Sequence, residues 1–243
     1  MNIIINGAGG RMGRILADMI RRDGEHAVAA AVDFGFAGGE GYAELSRYEG
    51  PADVLVDFSN HAATAAVTEY CAARALPAVI ATTGQTADEM EMIRAASEAV
   101  PVFLSANMSI GVALLADMAK KAAAMFPDAD IEIVERHHNQ KLDVPSGTAL
   151  LLARRIREAR PEAEFVVGRR ENGLRKPNEI GIHSLRYGGE VGVHEIIIAG
   201  EGETITLRHE AENRALFARG ALAAAAFICG KAPGMYDMRS IIE

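Results

Sequence analysis

Asn2-Ile3-Ile4-Ile5-Asn6-Gly7-Ala8-Gly9-Gly10-Arg11-Met12-Gly13-Arg14 is the stretch whose reading decides the fold. Ile3–Ile5 is a β-branched run that reads as a strand, and it ends in glycines. Behind the glycines, Arg11–Arg22 has helical periodicity, with Met12, Ile15, Leu16, Met19 and Ile20 apolar. Strand, glycine turn, helix is the opening of a dinucleotide-binding unit. Glycine permits the tight turn and lets backbone approach a pyrophosphate, while the helix N-terminus supplies free N–H groups and a partial positive charge. The glycines at 7, 10 and 13 run G-x-x-G-x-x-G, not the usual G-x-G-x-x-G, and a glycine turn alone serves structure equally well. Asp33 adds what the turn lacks. It closes the next strand pattern, Ala27–Val32, where a carboxylate can bond the adenosine ribose hydroxyls. Together these features make a nicotinamide dinucleotide, NADH or NADPH, the expected cofactor.

Outward from the turn the alternation repeats. Strands are expected at Val54–Phe58, Pro77–Thr82 and Val102–Leu104, with helices around Ala62–Arg74 and Ala87–Ala99. Repeated β-α units imply an α/β domain, a mostly parallel Rossmann sheet covered by helices on both faces. Phe34–Pro51 is Gly-rich and without helical pattern, so one crossover is expected to be a loop. Ligands of such sheets bind at the carboxyl ends of the strands. That rule adds Ala81, Thr82 and Thr83, and Ser105, Ala106, Asn107 and Met108, as candidates; each is also an ordinary turn residue.

The pattern changes after Asn107. A helix at Gly111–Met125 precedes a half-buried strand, Ile131–Val134, and a helix is expected at Thr148–Arg160 with Ser146 as its cap. Strand patterns then follow without helices between them, at Phe165–Val167, Gly181–Arg186, Val191–Ala199 and Thr204–Arg208. An Ala-rich helix, Asn213–Cys229, closes the chain. The expected organisation is a Rossmann domain, residues 1–108 plus 214–243, into which an α+β domain, residues 109–213, is inserted.

Glu135-Arg136-His137-His138-Asn139-Gln140-Lys141-Leu142-Asp143-Val144-Pro145-Ser146-Gly147-Thr148 is the densest polar segment, read as a strand-to-helix loop. Two histidines and a lysine are candidate proton donors, and Ser146, Gly147 and Thr148 open a helix that can receive an anion. A solvated loop is the bland alternative. No metal is expected, because adjacent strand residues point opposite ways and no ligand spacing accompanies the histidine pair. His26, His61, His183, His194 and His209 read as isolated structural or surface residues.

A net charge of −8 argues against nucleic-acid or membrane-surface partners. Cys71 and Cys229 sit in Ala-rich helical stretches and read as buried apolar residues, not as a thiol nucleophile. Neither a signal peptide nor an apolar run long enough to span a bilayer is found, so a cytoplasmic location is expected.

The chain resembles the 4-hydroxy-tetrahydrodipicolinate reductase (dihydrodipicolinate reductase) family along essentially its whole length. The most specific element is E-x-H-H-x-x-K-x-D-x-P-S-G-T-A, here Glu135 to Ala149, joined by G-A-G-G-R-M-G-R, Thr82–Gly84, Ala106–Asn107, Phe217–Ala221 and Tyr236-Asp237-Met238. The resemblance implies reduction of a small cyclic dicarboxylate by NADH or NADPH in the diaminopimelate route to lysine, by a homotetramer joined through its C-terminal domains. It places His137 and Lys141 at the proton-transfer positions, and His138, Lys141, Ser146, Gly147 and Thr148 at substrate contacts. Gly7, Ala8, Gly9, Gly10, Arg11, Met12, Asp33, Ala81, Thr82, Thr83, Ser105, Ala106, Asn107 and Met108 fall at dinucleotide contacts. No Arg or Lys follows Asp33, so NADH is expected to serve at least as well as NADPH. Alternatives are another two-domain dehydrogenase, such as aspartate dehydrogenase, and a non-catalytic NAD-binding sensor.

Overall fold

Ile3, Ile4 and Ile5 are fully buried in the first strand, β1 (Asn2–Asn6), as a strand covered on both faces requires. In chain order there follow α1 (Arg11–Asp23), β2 (Ala27–Val32), β3 (Val54–Asp57), α2 (Thr64–Ala73), β4 (Ala78–Ile80), α3 (Ala87–Ser97), β5 (Pro101–Leu104), α4 (Ile110–Met125), β6 (Asp130–His137), α5 (Gly147–Arg157), β7 (Glu164–Val167), β8 (Glu179–Arg186), β9 (Gly192–Ala199), β10 (Thr204–Ala211), α6 (Ala215–Ile228), β11 (Gly234–Tyr236) and α7 (Arg239–Ile242). The computed structural model describes residues 1–36 and 41–242. The expected loop crossover Phe34–Pro51 therefore lies partly outside the described residues; within them it holds one short 3-10 turn, Leu45–Arg47.

The chain divides into two units, Met1–Ile110 with Ala215–Glu243, and Gly111–Arg214. The first holds a six-stranded sheet in the order β11-β5-β4-β3-β1-β2. Every neighbouring pair is parallel. Its core includes Ile4, Leu55, Val67, Cys71, Ile80, Ile93 and Val102. The Ala-rich α6 packs on β3, β4, β5 and α1. Small residues let it come close: a Cβ on Gly220 would stand 1.6 Å from the Met108 carbonyl oxygen. The edge strand β11 was not anticipated from sequence. Three residues after Pro233 are too few to show a period.

The second unit is a five-stranded mixed sheet, β10-β9-β6-β8-β7, with β6, β8 and β7 parallel and β9 antiparallel to β6 and β10. Strand register aligns its side chains in rows across one face. Ile180, Ile131, Ile198 and Ile205 form one row, and Ile182, Ile133, Ile196 and Leu207 the next. Leu115, Ala119, Ala123, Leu152, Ala153 and Ile156 of α4 and α5 cover these rows. The same strands then turn polar, with a row of Ser184, Glu135, His194 and His209. His137 pairs with Arg186 in the last row. Helix α5 stops at Arg157, short of the expected Arg160. Buried Arg160 instead turns its guanidinium onto the carbonyls of Ala123, Phe126 and Ala129, closing the turn before β6.

Candidate active site

In the first unit the expected dinucleotide residues gather at the carboxyl ends of four parallel strands. Gly7–Gly10 follow β1, Asp33 follows β2, Ala81–Thr83 follow β4 and Ser105–Met108 follow β5. The glycine turn is tight in earnest. Gly7 has φ +79°, and a Cβ on it would stand 2.7 Å from the Phe58 carbonyl. A Cβ on Gly13 would stand 2.2 Å from the Gly7 oxygen, so only glycine lets α1 seat against the turn. The N-terminus of α1 fits a diphosphate. No side chain caps it, no acidic residue lies in its first turn, and Arg11 is exposed there. By contrast α3 is closed by a capping box, Thr86 with Glu89, and carries Asp88 and Glu89 in its first turn.

Asp33 accepts hydrogen bonds from the N–H groups of Gly9 and Gly35, both at 2.9 Å. It therefore braces the glycine turn as well as presenting a carboxylate at the rim. A Cβ on Gly9 would stand 2.9 Å from the Asp33 carboxyl, so that glycine answers to Asp33. Sequence reading gave no role to Asp57. It is 2% exposed and ties the strand ends together, accepting from Asn6 Nδ2 at 2.8 Å, Ser59 Oγ at 2.6 Å and Thr82 Oγ1 at 2.7 Å. Thr82 is thus buried and committed to Asp57, while Thr83 is exposed. Met108 is buried, with its carbonyl facing Gly220, so packing accounts for it.

In the second unit the polar segment is not all loop, as it was read. Glu135, Arg136 and His137 complete β6, because strand alternation continues past Val134 with charged residues on the buried face. Glu135 and His137 point the same way, and His137 Nδ1 lies 2.5 Å from Glu135 Oε2. Arg186, opposite on β8, grips both Glu135 oxygens at 2.7 Å. Ser146 N–H donates to Glu135 Oε1 at 3.1 Å. Glu135 is fully buried. Burial opposes its charge, but hydrogen bonds from His137 and Arg186 outweigh it and hold the carboxyl well below the usual carboxylate range.

Ser146 is 1% exposed; its hydroxyl accepts from Ala149 N–H as the cap of α5 and lies 3.1 Å from His194 Nε2. Helix capping accounts for it, whereas Gly147 is exposed, with open space where its Cβ would be. His194 is not isolated, as the sequence suggested. Its ring meets that of His137 edge to face, centroids 5.2 Å apart. Burial, then the neighbouring His137, pushes its pKa down to about 3, so it is neutral near pH 7. The loop beyond β6 is pinned by its backbone: His138 N–H donates to the Glu190 carbonyl, and Lys141 N–H to that of His138. Lys141 Nζ pairs with Asp143 at 2.8 Å. In this unit Glu135, Arg186 and His194 join Asp57 as residues to which the sequence gives no role; the i, i+2 spacing of Glu135 and His137 is the available signal for the first.

Residues 1–108 match the family described as dihydrodipicolinate reductase, N-terminus, and residues 111–242 its C-terminus. The chain belongs to the dihydrodipicolinate reductase family. A family member from Caldanaerobacter subterraneus subsp. tengcongensis, a 4-hydroxy-tetrahydrodipicolinate reductase, is 43% identical, with 100% of this chain and 98% of that protein covered. The protein of the same name from Clostridium tetani is 42% identical, covering 100% of this chain and 97% of the other. Among solved structures, the dipicolinate-bound dihydrodipicolinate reductase from Paenisporosarcina sp. TG-14 aligns with a TM-score of 0.85 at 27% identity, covering 100% of this chain and 99% of that one. An aspartate dehydrogenase from Thermotoga maritima aligns at 0.50 and 14% identity over 93% of this chain and 95% of that one, a likeness of fold alone. No helix among the described residues is long and apolar enough to cross a membrane.

Proposed function

We propose that this chain reduces 4-hydroxy-tetrahydrodipicolinate to tetrahydrodipicolinate, with NADH or NADPH and loss of water, in lysine biosynthesis through diaminopimelate. The observation that carries the reading is the cluster of buried Glu135 and His137 with half-buried Arg186 beside the capped start of α5, in a chain that matches this reductase family from end to end. A sensor that only bound dinucleotide would have no use for that cluster.

Residues 1–108 with 214–243 serve as the dinucleotide-binding domain and residues 109–213 as the substrate-binding and tetramerisation domain. The bound dinucleotide supplies the hydride. The α1 N-terminus and Arg11 hold its diphosphate, Asp33 its adenosine ribose, and the Thr82–Thr83 and Ser105–Asn107 turns the rim beside it. Lys141 and the N–H groups at Gly147 and Thr148 receive the substrate carboxylates, with His138 beside them; Lys141 exchanges Asp143 for substrate. His137 and Lys141 hold and deliver the proton that complements the hydride, and their positive charge favours hydride arrival at an electron-poor ring.

The protein works in the cytoplasm as a homotetramer, which light scattering of the purified chain tests. The activity is tested by following NADH oxidation at 340 nm with substrate generated in place by the preceding synthase. No oxidation above the synthase-free control rejects the reading.

A further inference from the structure

The carboxylate of Glu135 touches three parts of the site at once. Oε2 meets His137 Nδ1, Oε1 receives the Ser146 N–H at the start of α5, and both oxygens are held by Arg186. Arg186 Nη2 also donates to the Asp143 carbonyl at 2.8 Å, on the loop that carries Lys141. We propose that Glu135 is the positioning residue of this site: one buried carboxylate sets the tautomer of His137, the start of α5 and, through Arg186, the Lys141 loop. The inference rests on the assignment of proton transfer to His137 and Lys141.

The tautomer follows from donor counting. A carboxylate that already accepts from a guanidinium and a backbone N–H is an acceptor only, so the hydrogen between it and His137 sits on Nδ1. Nε2 is left to take up and release the transferred proton. Nε2 lies over Gly192, where a Cβ would stand 3.0 Å away, so the glycine keeps side-chain bulk from that nitrogen. The groups that bear on the charge of His137 are Glu135 on its own strand, Arg186 on β8, His194 on β9, with His209 on β10 beyond it, and Lys141 and Asp143 on the loop. The first turn of α5 contributes no acidic residue. Glu135 is therefore the anion that favours the protonated ring, against the cations Arg186 and Lys141.

Glu135→Gln keeps the shape and removes the charge. The expected result is a fall in kcat of about 10- to 10²-fold, smaller than loss of the acid itself. With it, the kcat/KM profile moves to lower pH, because the anion beside the imidazole is gone. NADH binding stays close to wild type, while Tm falls, because the neutral side chain no longer offsets the Arg186 charge. A variant whose rate falls while its pH limb stays in place marks Glu135 as structural only and overturns the proposal. An independent reading needs no Glu135 variant. In wild-type protein labelled with ¹⁵N-histidine, the signal missing from His137→Gln reports Nδ1–H with an unprotonated Nε2 above the titration. An Nε2–H signal there overturns the proposal even if Glu135→Gln does not fold. If His137→Gln itself turns over at the wild-type rate, the underlying site reading fails instead.

Discussion

Two expectations are the sharpest at this scale, one on the proton-transfer pair and one on Asp33. His137→Gln and Lys141→Ala should each lower turnover by about 10²–10⁴-fold, the usual effect of removing a general acid. NADH binding, read by fluorescence titration, should be unchanged; wild-type rates in both variants would sink the assignment. Asp33 is the other. Its carboxylate disfavours a 2′-phosphate, so Asp33→Ala should shift the ratio of kcat/KM values toward NADPH. Because the same carboxylate braces Gly9 and Gly35, the variant should also bind both dinucleotides more weakly, while Asp33→Asn should retain more of the brace. An unchanged NADH Kd in Asp33→Ala would mean that the turn holds its shape unaided. At this scale the sequence singles out as candidates residues with a local or regularly spaced pattern: the glycine turn, Asp33, His137, Lys141. It concealed Asp57, Arg186 and His194, which reach Thr82, Glu135 and Ser146 across 25 to 51 positions and meet them only in the fold.

At the scale of elements, two glycines at helix starts should behave oppositely. Gly13→Ala drives a methyl into the Gly7 carbonyl, which is backbone and cannot step aside. We expect a loss of about 3 kcal/mol or more in the first unit and failure to bind NADH, measured by denaturant unfolding and titration. Gly147→Ala meets nothing within 4 Å, so the fold should be unaffected and any change should appear in substrate KM. A Gly13→Ala protein as stable as wild type would contradict the close seating of α1. Legibility at this scale followed periodicity. The long helices and the hydrophobic strands β1 to β5 were plain, because a buried parallel strand reads as an apolar run. The end of β6 was hidden because its inward positions change from Ile131 and Ile133 to Glu135 and His137; charge looks like solvent exposure until the neighbouring strands are known. Strand β11 was too short to carry any period.

For the whole molecule, acid should be the weak flank. His194 is neutral when folded, with its pKa at about 3, and returns to about 6.5 when unfolded. Its folded value is depressed, so the unfolded chain binds the extra proton. Stability is full above about pH 6.5 and declines as pH falls toward 3, by up to about 1.4 kcal/mol per pH unit. His209, lowered by burial, acts in the same direction, and Glu135 adds a further loss below about pH 4.3. Urea unfolding between pH 7 and 4 should show this slope, and His194→Asn should flatten it; an equal slope in that variant would show that His194 is not the group involved. The split of the first unit has another consequence, in time. Gly111–Arg214 is one uninterrupted stretch and can close as soon as it has left the ribosome. The parallel sheet waits for α6 and β11, encoded near the end of the chain. A nascent chain arrested before residue 215 displays the apolar surface of β3, β4 and β5 that α6 later covers, which makes that interval the moment of greatest exposure to chaperones, proteases and self-association.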